Sequence, residues 1–212
     1  MKGSSVIFLL VITFCFTGLN IDISDHLIPS YENDTVDDTL HTPPATLKEL
    51  IEDHKETLQL SGLARCTVSR DSIWGDSIAL FKNPKFNYLS RPKVTFEGEA
   101  GIDAGGLSRE FACLLRKAIF SSQANLFEGQ EYSKLPIYCI DGIHSRLFLL
   151  VGKIISYLVV HLDIGVPCLS VAAYKYISTG SLELAAESCN IDDIVDHELR
   201  ELVSQVLYSK LL

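Results

Sequence analysis

The sequence predicts an α+β domain that is mainly helical and contains short β-strands. Apolar residues recur at helical spacing at Leu107, Phe111 and Leu115, which indicates an amphipathic helix. The β-branched and aromatic residues from Val94 to Phe96 precede a glycine-rich turn, which is typical of a short strand. Hydrophobic residues make up 47% of the 212 residues, which is enough for one domain with its own core.

Residues 1–20 are predicted to be a signal peptide. The apolar run from Val6 to Phe16 follows Lys2. It is shorter than the roughly 20 residues of a membrane-spanning helix and suits the apolar region of a secretory leader. A buried apolar helix and an incorrectly assigned first exon are the alternatives that the pattern leaves open.

Residues 21–45 are predicted to be a flexible linker, because the segment is acidic, rich in turn-forming residues and without a steady apolar period. Asn33 begins an Asn-Asp-Thr sequon. This candidate glycosylation site has meaning only if the leader directs the chain into the secretory pathway.

The domain is predicted to span residues 46–212 and to open with a helix. Thr46 and Glu49 have the spacing of a capping box, and Gly62 is placed to end the helix. The residues expected on its apolar face are Leu47, Leu50, Ile51, His54 and Leu58.

Further elements follow from periodicity and from helix end signals. A helix over residues 71–82 is predicted before the Val94 strand, and residues 138–140 form a candidate second strand. A helix over residues 167–178 has Pro167 in its first turn and Gly180 just past its end. The other helices are predicted over residues 145–162 and 192–207.

An acidic, glycine-rich turn joins the Val94 strand to the Leu107 helix. Asp103 lies near the helix start, where a carboxylate suits the unpaired amides. A phosphate-binding loop is a poor alternative, because no Gly-Lys-Ser/Thr follows and because Glu99 and Asp103 would repel a phosphate. The glycines that supply positive-φ conformations and close backbone approaches are Gly98, Gly101, Gly105 and Gly106.

The segment from Val94 to Phe111 resembles the N-terminal lobe of the HECT family of ubiquitin-protein ligases. The hallmark of that lobe is a strand followed by Glu-x-Gly-x-Asp-x-Gly-Gly-x-x-Arg-Glu-Phe. The residues that match this signature position by position are Glu99, Gly101, Asp103, Gly105, Gly106, Arg109, Glu110 and Phe111.

Flanking segments resemble neighbouring parts of the same lobe, in the same order. Residues 68–81 are similar to the helix that precedes the strand, with Arg70 at its usual position. The sequence of this segment most resembles the G2/M phase-specific ligase-like subgroup. Residues 147–161 resemble the central helix with its Gly152-Lys153 step, and residues 190–207 resemble the Asp-rich helix start that follows.

The resemblance implies a partial HECT N-lobe, with the C-lobe and its ubiquitin-accepting cysteine expected beyond residue 212. In a complete member, a ubiquitin-conjugating enzyme delivers ubiquitin to that cysteine, which passes it to a substrate lysine without a small-molecule cofactor or metal. The chain alone is therefore expected to be inactive. A non-catalytic lobe that binds a partner and a secreted protein that reuses the fold are the alternatives.

None of the six cysteines has the sequence context of that nucleophile. Cys113 and Cys168 fall on predicted helices, and Cys139 lies in an apolar run. Cys66 has the neighbour most favourable to a thiolate, Arg65. We expect these cysteines to be small buried hydrophobic residues or inert thiols.

Several other polar and aromatic residues are predicted to have structural roles. Lys153 lies in an apolar helix, so burying it would require a partner, for which Glu99 and Glu110 are the candidates. His161 and Asp163 are two residues apart on a helix and do not share a face, which favours capping or solvated roles. Trp74 and Tyr157 are expected in the core.

The formal net charge of −9 and the pI near 5.1 argue against nucleic acid or an anionic membrane as the main partner. Two predictions of the cellular location conflict with each other. Ubiquitin transfer implies an intracellular protein, and the five cysteines left without the leader lack the spacing of a disulfide framework. A functional leader would instead direct the chain to the secretory pathway.

Overall fold

The computed structural model describes residues 46–58 and 60–209. The predicted leader, the predicted linker and Asn33 lie outside the described residues. The described part is mainly helical and contains two sheets of two strands each, which confirms the predicted α+β class. None of the helices in it combines the length and apolar character that a bilayer crossing demands.

The first helix, α1 (Leu47–Thr57), begins at the predicted capping box. The Thr46 hydroxyl accepts a hydrogen bond from the Glu49 amide at 3.2 Å, and the Glu49 carboxylate accepts one from the Thr46 amide at 2.6 Å. The helix ends at Thr57, so the prediction that Gly62 ends it is wrong. Gly62 has φ +79° and its carbonyl accepts from the Arg91 amide, so it turns the chain into a strand pair.

The larger sheet consists of β1 (Leu63–Val68) and β2 (Arg91–Phe96), which run parallel. Helix α2 (Ile73–Lys82) connects them, as a crossover between parallel strands requires. The sequence predicted α2 and β2 but missed β1, in which Cys66 lies opposite Val94.

The main core lies between this sheet and two long helices, α3 (Gly106–Ile119) and α5 (Leu147–Leu162). Phe111 of α3 and Tyr157 of α5 are fully buried. The Tyr157 hydroxyl donates to the Ser90 carbonyl at 2.8 Å, so its polar end is satisfied. The predicted core placement is thus confirmed for Tyr157, whereas Trp74 is partly buried and packs against the edge of the core.

The second sheet is a hairpin of β3 (Phe127–Gln130) and β4 (Ser133–Pro136). The sequence analysis missed it because neither strand has a run of β-branched residues. Gly129 allows the close approach of the strands, since a Cβ atom there would lie 2.3 Å from the Ser133 carbonyl oxygen. The predicted strand over residues 138–140 is wrong, because Ile140 begins a short helix, α4 (Ile140–His144).

Most of the predicted C-terminal helices are present with altered bounds. Helix α6 (Val171–Thr179) ends at Gly180 as predicted. Its N-cap is Ser170, whose hydroxyl accepts from the Ala173 amide at 3.1 Å, so Pro167 precedes the helix rather than lying in its first turn. Cys168 is therefore not on a helix, contrary to the prediction.

The predicted helix over residues 192–207 is divided. A short helix, α7 (Leu182–Ala186), comes first and is followed by a 3-10 turn at Ile191–Asp193. After a break of three residues, α8 (His197–Ser209) begins. Arg200 of α8 donates to the Ile194 carbonyl, which stabilises the bend between the two segments.

Candidate functional site

The turn between β2 and α3 is organised around the carboxylate of Asp103. One oxygen accepts from the Val94 amide at 2.8 Å, and the other accepts from the amides of Gly105 at 2.8 Å and Ser108 at 3.3 Å. The buried Ser108 hydroxyl also hydrogen-bonds to the carboxylate. Asp103 therefore joins the strand to the helix start, as its predicted capping position suggested.

The hydrogen bonds around Asp103 favour its ionised form. Burial raises the pKa of Asp103, but the hydrogen bonds from Ser108 and from the amides of Val94 and Gly105 outweigh it and leave the pKa below its usual value. Sequence reasoning missed the part played by Ser108, which lies five residues after Asp103 and one turn into the helix.

Arg70 lies at the centre of the second group in the site. Its Nη1 donates to Glu110 Oε1 at 2.6 Å, and its Nη2 lies 3.1 Å from an oxygen of each of Glu99 and Glu110. Its Nε donates to the other Glu99 oxygen. Each carboxylate thus receives a two-pronged contact that only a guanidinium can make. The Arg70 guanidinium also lies over the Phe96 ring, 3.9 Å from its centroid.

These contacts shift the titration of all three groups. The hydrogen bonds from Arg70 lower the pKa of Glu99 and of Glu110, although the charge of Glu99 opposes the change at Glu110. The same hydrogen bonds raise the pKa of Arg70. The three side chains are 39–45% exposed, so solvent screens their charges and the geometry of the contacts matters more than their electrostatic energy.

Different structural constraints act at the glycines of the signature. Gly105, the residue before α3, has φ +105°, a conformation that side-chain-bearing residues resist. A Cβ atom on Gly101 would lie 3.1 Å from the Leu107 side chain. Gly106 has an ordinary φ and open space around it, and nothing in the structure explains why it is a glycine.

The remaining residues of the signature fall on both faces of α3. Phe111 is completely buried in the core. Arg109 is exposed and its side chain makes no hydrogen bond or ion pair with the described residues. Its backbone amide donates to the Gly105 carbonyl at 3.2 Å.

The structure places Arg70, not Lys153, between Glu99 and Glu110, so the predicted partners of Lys153 are wrong. The Lys153 ammonium instead lies 5.9 Å from the centroid of the Tyr88 ring. Lys153 is half-buried, which lets its ammonium group reach the edge of the core without a carboxylate. The neighbouring Gly152 contributes its carbonyl, which accepts from the Ser156 hydroxyl at 2.9 Å.

The predictions for the end of α5 are confirmed for Asp163 and corrected for His161. Asp163 is the C-cap of the helix, and its carboxylate binds Lys55 at 2.8 Å. His161 is buried rather than solvated, and its Nε2 lies 2.8 Å from the Tyr88 carbonyl. Burial lowers the pKa of His161, which favours the neutral ring.

The site contains no evident nucleophile. Cys66 is 1% exposed, and burial raises the pKa of its thiol to about 12, so the neighbouring Arg65 does not activate it. Cys139 caps α4, its sulfur accepting from the Gly142 amide at 3.3 Å. In residues 46–58 and 60–209, no three His, Cys, Asp or Glu side chains are grouped to hold a metal ion. The geometry supports a structural site that fixes a strand, a turn and a helix.

Sequence comparison shows which curated proteins this chain is similar to. The chain is 32% identical over 123 residues to the E3 ubiquitin-protein ligase hecw-1 of Caenorhabditis elegans, which covers 54% of this chain. It is 31% identical over 135 residues, or 59% of this chain, to the E3 ubiquitin-protein ligase pub3 of Schizosaccharomyces pombe. About half of this chain is similar to E3 ubiquitin-protein ligases.

Other ubiquitin-protein ligases show the same likeness. A probable E3 ubiquitin-protein ligase, hulA of Aspergillus terreus, is 32% identical over 108 residues and covers 48% of this chain. The matches support the HECT resemblance but not its subgroup. No protein-family model matches the chain. The chain spans 10%, 17% and 13% of the lengths of hecw-1, pub3 and hulA, respectively.

Proposed function

We propose that the described residues form part of the N-terminal lobe of a HECT-type ubiquitin-protein ligase. The observation that carries the proposal is the contact of Arg70 with both Glu99 and Glu110. These three residues belong to the segments that carry the resemblance, and they come together in space although 29 and 40 positions separate Arg70 from its partners. The similarity to ubiquitin-protein ligases supports the same assignment.

In this proposal the chain is one part of a larger enzyme. Ubiquitin arrives as a thioester on a conjugating enzyme, and its carbonyl carbon is transferred to a cysteine of the ligase, which releases the thiol of the conjugating enzyme. A substrate lysine then attacks the new thioester and forms an amide bond, which releases the ligase thiol. Cys66 is buried and Cys139 caps a helix, which makes both unsuited to that role. In this proposal the accepting cysteine lies outside the described residues.

The partners in this proposal are ubiquitin and a ubiquitin-conjugating enzyme, and the location is intracellular. The five cysteines in the described part of the chain are all free thiols, in keeping with a reducing compartment. A mobility shift on removal of N-linked glycans would place Asn33 in the secretory pathway and contradict this location.

A thioester assay on the natural protein tests the proposed activity. The protein is captured with an antibody against residues 182–198, a largely exposed surface segment. It is then incubated with ubiquitin-activating enzyme, conjugating enzymes, ubiquitin and ATP. We expect an adduct on non-reducing gels that thiol reagents remove, attached to a cysteine outside residues 46–209. The control is a conjugating enzyme that lacks the cysteine on which it carries ubiquitin.

Other outcomes contradict parts of the proposal. An adduct on a described cysteine such as Cys113 would make this lobe itself catalytic. A protein whose intact mass ends at Leu212 and that forms no adduct with any conjugating enzyme would be a non-catalytic binding module. Peptides beyond Leu212 in the captured protein are the expected result.

A further inference from the structure

The outer face of the β1–β2 sheet carries a cluster of cations. Side chains alternate between the two faces of a strand, and the inner face contributes Cys66 and Val94 to the core. The opposite face is exposed along both strands. The residues on it, in pairs across the strands, are Leu63 with Arg91, Arg65 with Lys93, and Thr67 with Thr95.

The cationic pair on this face is unfavourable as it stands. Arg65 and Lys93 are direct neighbours on strands that lie about 4.8 Å apart, and like charges in that position repel. Arg91 adds a third positive charge on the same face. Within residues 46–58 and 60–209, none of these three side chains forms an ion pair with a carboxylate. Neither β1 nor β2 contains a carboxylate, so no side chain of the two strands balances this charge.

A small depression extends the cationic face beyond β1. It has a volume of about 240 Å³, and Arg65 and Lys85 lie in its wall together with Leu63 and Phe86. Leu63 is 64% exposed, an unusual position for a large apolar residue beside cations. Cations around accessible apolar surface suit an extended acidic chain that also carries a few apolar side chains.

The segment that precedes α1 has that chemistry. Residues 21–45 contain six carboxylates and no lysine or arginine, and apolar residues such as Ile23, Leu27 and Leu40 are interspersed among them. Extended, these 25 residues reach about 80 Å, which is far enough for the segment to contact the sheet from its junction with Thr46. Covalent connection raises the effective concentration of such a segment to the millimolar range.

We propose that residues 21–45 bind in cis to the cationic face formed by Arg65, Arg91, Lys93 and Lys85. The net charge of −9 disfavours nucleic acid as the occupant of this face, because the rest of the protein would repel it. The acidic segment neutralises the face, and any external acidic partner has to displace it.

Carbodiimide cross-linking of the full chain tests this contact. The reagent activates a carboxylate, and the Lys93 amine displaces it to form an amide while the carbodiimide leaves as a urea. We expect Lys93 to be joined to carboxylates of residues 21–45 within one chain. The yield should exceed that of Lys117, an exposed lysine that lies on α3 and not on the sheet.

Variants and salt decide whether the attraction is specific. The double variant Arg65→Ser with Arg91→Ser keeps the Lys93 amine and should lower the yield about fivefold, as expected for the loss of two surface ion pairs. Lys117→Ser is the control and should leave the Lys93 yield unchanged. In the unmodified chain, 0.5 M salt should lower the yield as well, because exposed charges are screened.

Three results would overturn the proposal. Equal yields at Lys93 and Lys117 would mean random contact, and a Lys93 yield that neither salt nor the double variant lowers would exclude electrostatic binding. Cross-links between two chains that disappear on dilution would assign the face to a second copy. None of these readouts depends on ubiquitin, so the failure of this proposal is distinguishable from failure of the proposed ligase function.

Discussion

Arg70 and Glu110 lie 40 positions apart in the sequence, and the Arg70 Nη1 atom donates to a Glu110 carboxylate oxygen at 2.6 Å. Arg70 follows the end of β1, whereas Glu110 lies in the first turns of α3. Because β1 and β2 are parallel, their C-terminal ends meet at the same edge of the sheet. The contact therefore fixes the turn that leads from β2 into α3.

Substitution of Arg70 by alanine should lower the melting temperature. Glu99 and Glu110 would then lie close together without the cation that separates them, and the contact of the guanidinium with Phe96 would be lost. Arg70→Lys should give an intermediate value, because one ammonium cannot contact both carboxylates in the same two-pronged way. Thermal unfolding followed by circular dichroism measures the change.

Arg109→Ala is the matched control for this series, since Arg109 is exposed and makes no side-chain ion pair with the described residues. It should melt close to the wild type. Equal losses for Arg70→Ala and Arg109→Ala would show that the loss of a positive charge, not the geometry of the contacts, is responsible.

The contribution of Arg70 to stability should disappear in acid. The contact holds the pKa values of Glu99 and Glu110 below their ordinary value of 4.5, so the contribution is complete above about pH 4.5 and is lost as the pH falls through the lowered values. The difference in free energy of unfolding between the wild type and Arg70→Ala should therefore be constant at pH 5–7 and shrink below pH 4.5.

Chemical denaturation at several pH values measures this difference. Burial lowers the pKa values of His54 and His161 from 6.5, so their own contributions to stability start to be lost as the pH falls below about 6.5. Taking the difference between the two proteins removes this effect. A difference that stays the same down to pH 3 would mean that the two carboxylates do not carry the effect.

Alanine at Gly105 should destabilise the protein by about 1–2 kcal/mol, because φ +105° is unfavourable for a residue with a Cβ atom. Gly106→Ala is the matched control, since Gly106 has an ordinary φ and no atom within 4 Å of a new Cβ. It should be neutral or slightly stabilising, because alanine is a better helix former. Free energies of unfolding in urea distinguish the two, and equal values would contradict the conformational argument.

Asp103→Ala should cost about 1–3 kcal/mol, because it leaves the buried Val94 amide without its hydrogen-bond acceptor. Asp71→Ala is the control at an exposed carboxylate and should change the free energy of unfolding by less than about 0.5 kcal/mol. A loss at Asp103 no greater than that at Asp71 would show that the hydrogen bonds of the turn contribute little.

Cys66 should resist alkylation in the folded protein. Its thiol is buried and burial raises its pKa to about 12, so at pH 8 almost no thiolate is present or accessible. Cys113 and Cys189 are exposed and should react with iodoacetamide at least tenfold faster, as measured by peptide mass spectrometry. In denaturant the three rates should converge; a fast reaction of Cys66 in native protein would contradict its burial.

Local patterns predicted much of the fold. The capping box at Thr46, the strand at Val94, the Leu107 helix and the helix end at Gly180 all depend on residues within a few positions of one another. Each was found where the sequence placed it, because capping, turn and amphipathic signals act over one or two turns of chain.

Long-range pairing was harder to predict. β1 lacks a strong strand signal of its own and becomes a strand because it pairs with β2. The hairpin at Gly129 was missed for the same reason. The partner of Lys153 was predicted wrongly because charge and spacing do not reveal which carboxylates another cation already occupies.

The sequence by itself determined the helix-rich class, the turn with Asp103 at the start of a helix, and the likeness to a ligase lobe. Only the tertiary structure decided that Arg70 joins Glu99 to Glu110, that Cys66 is buried in a strand, and that cations meet on the outer sheet face. Local signals depend on backbone conformations that neighbouring residues set. Partners distant in the sequence are chosen by the packing and strand register of the whole fold.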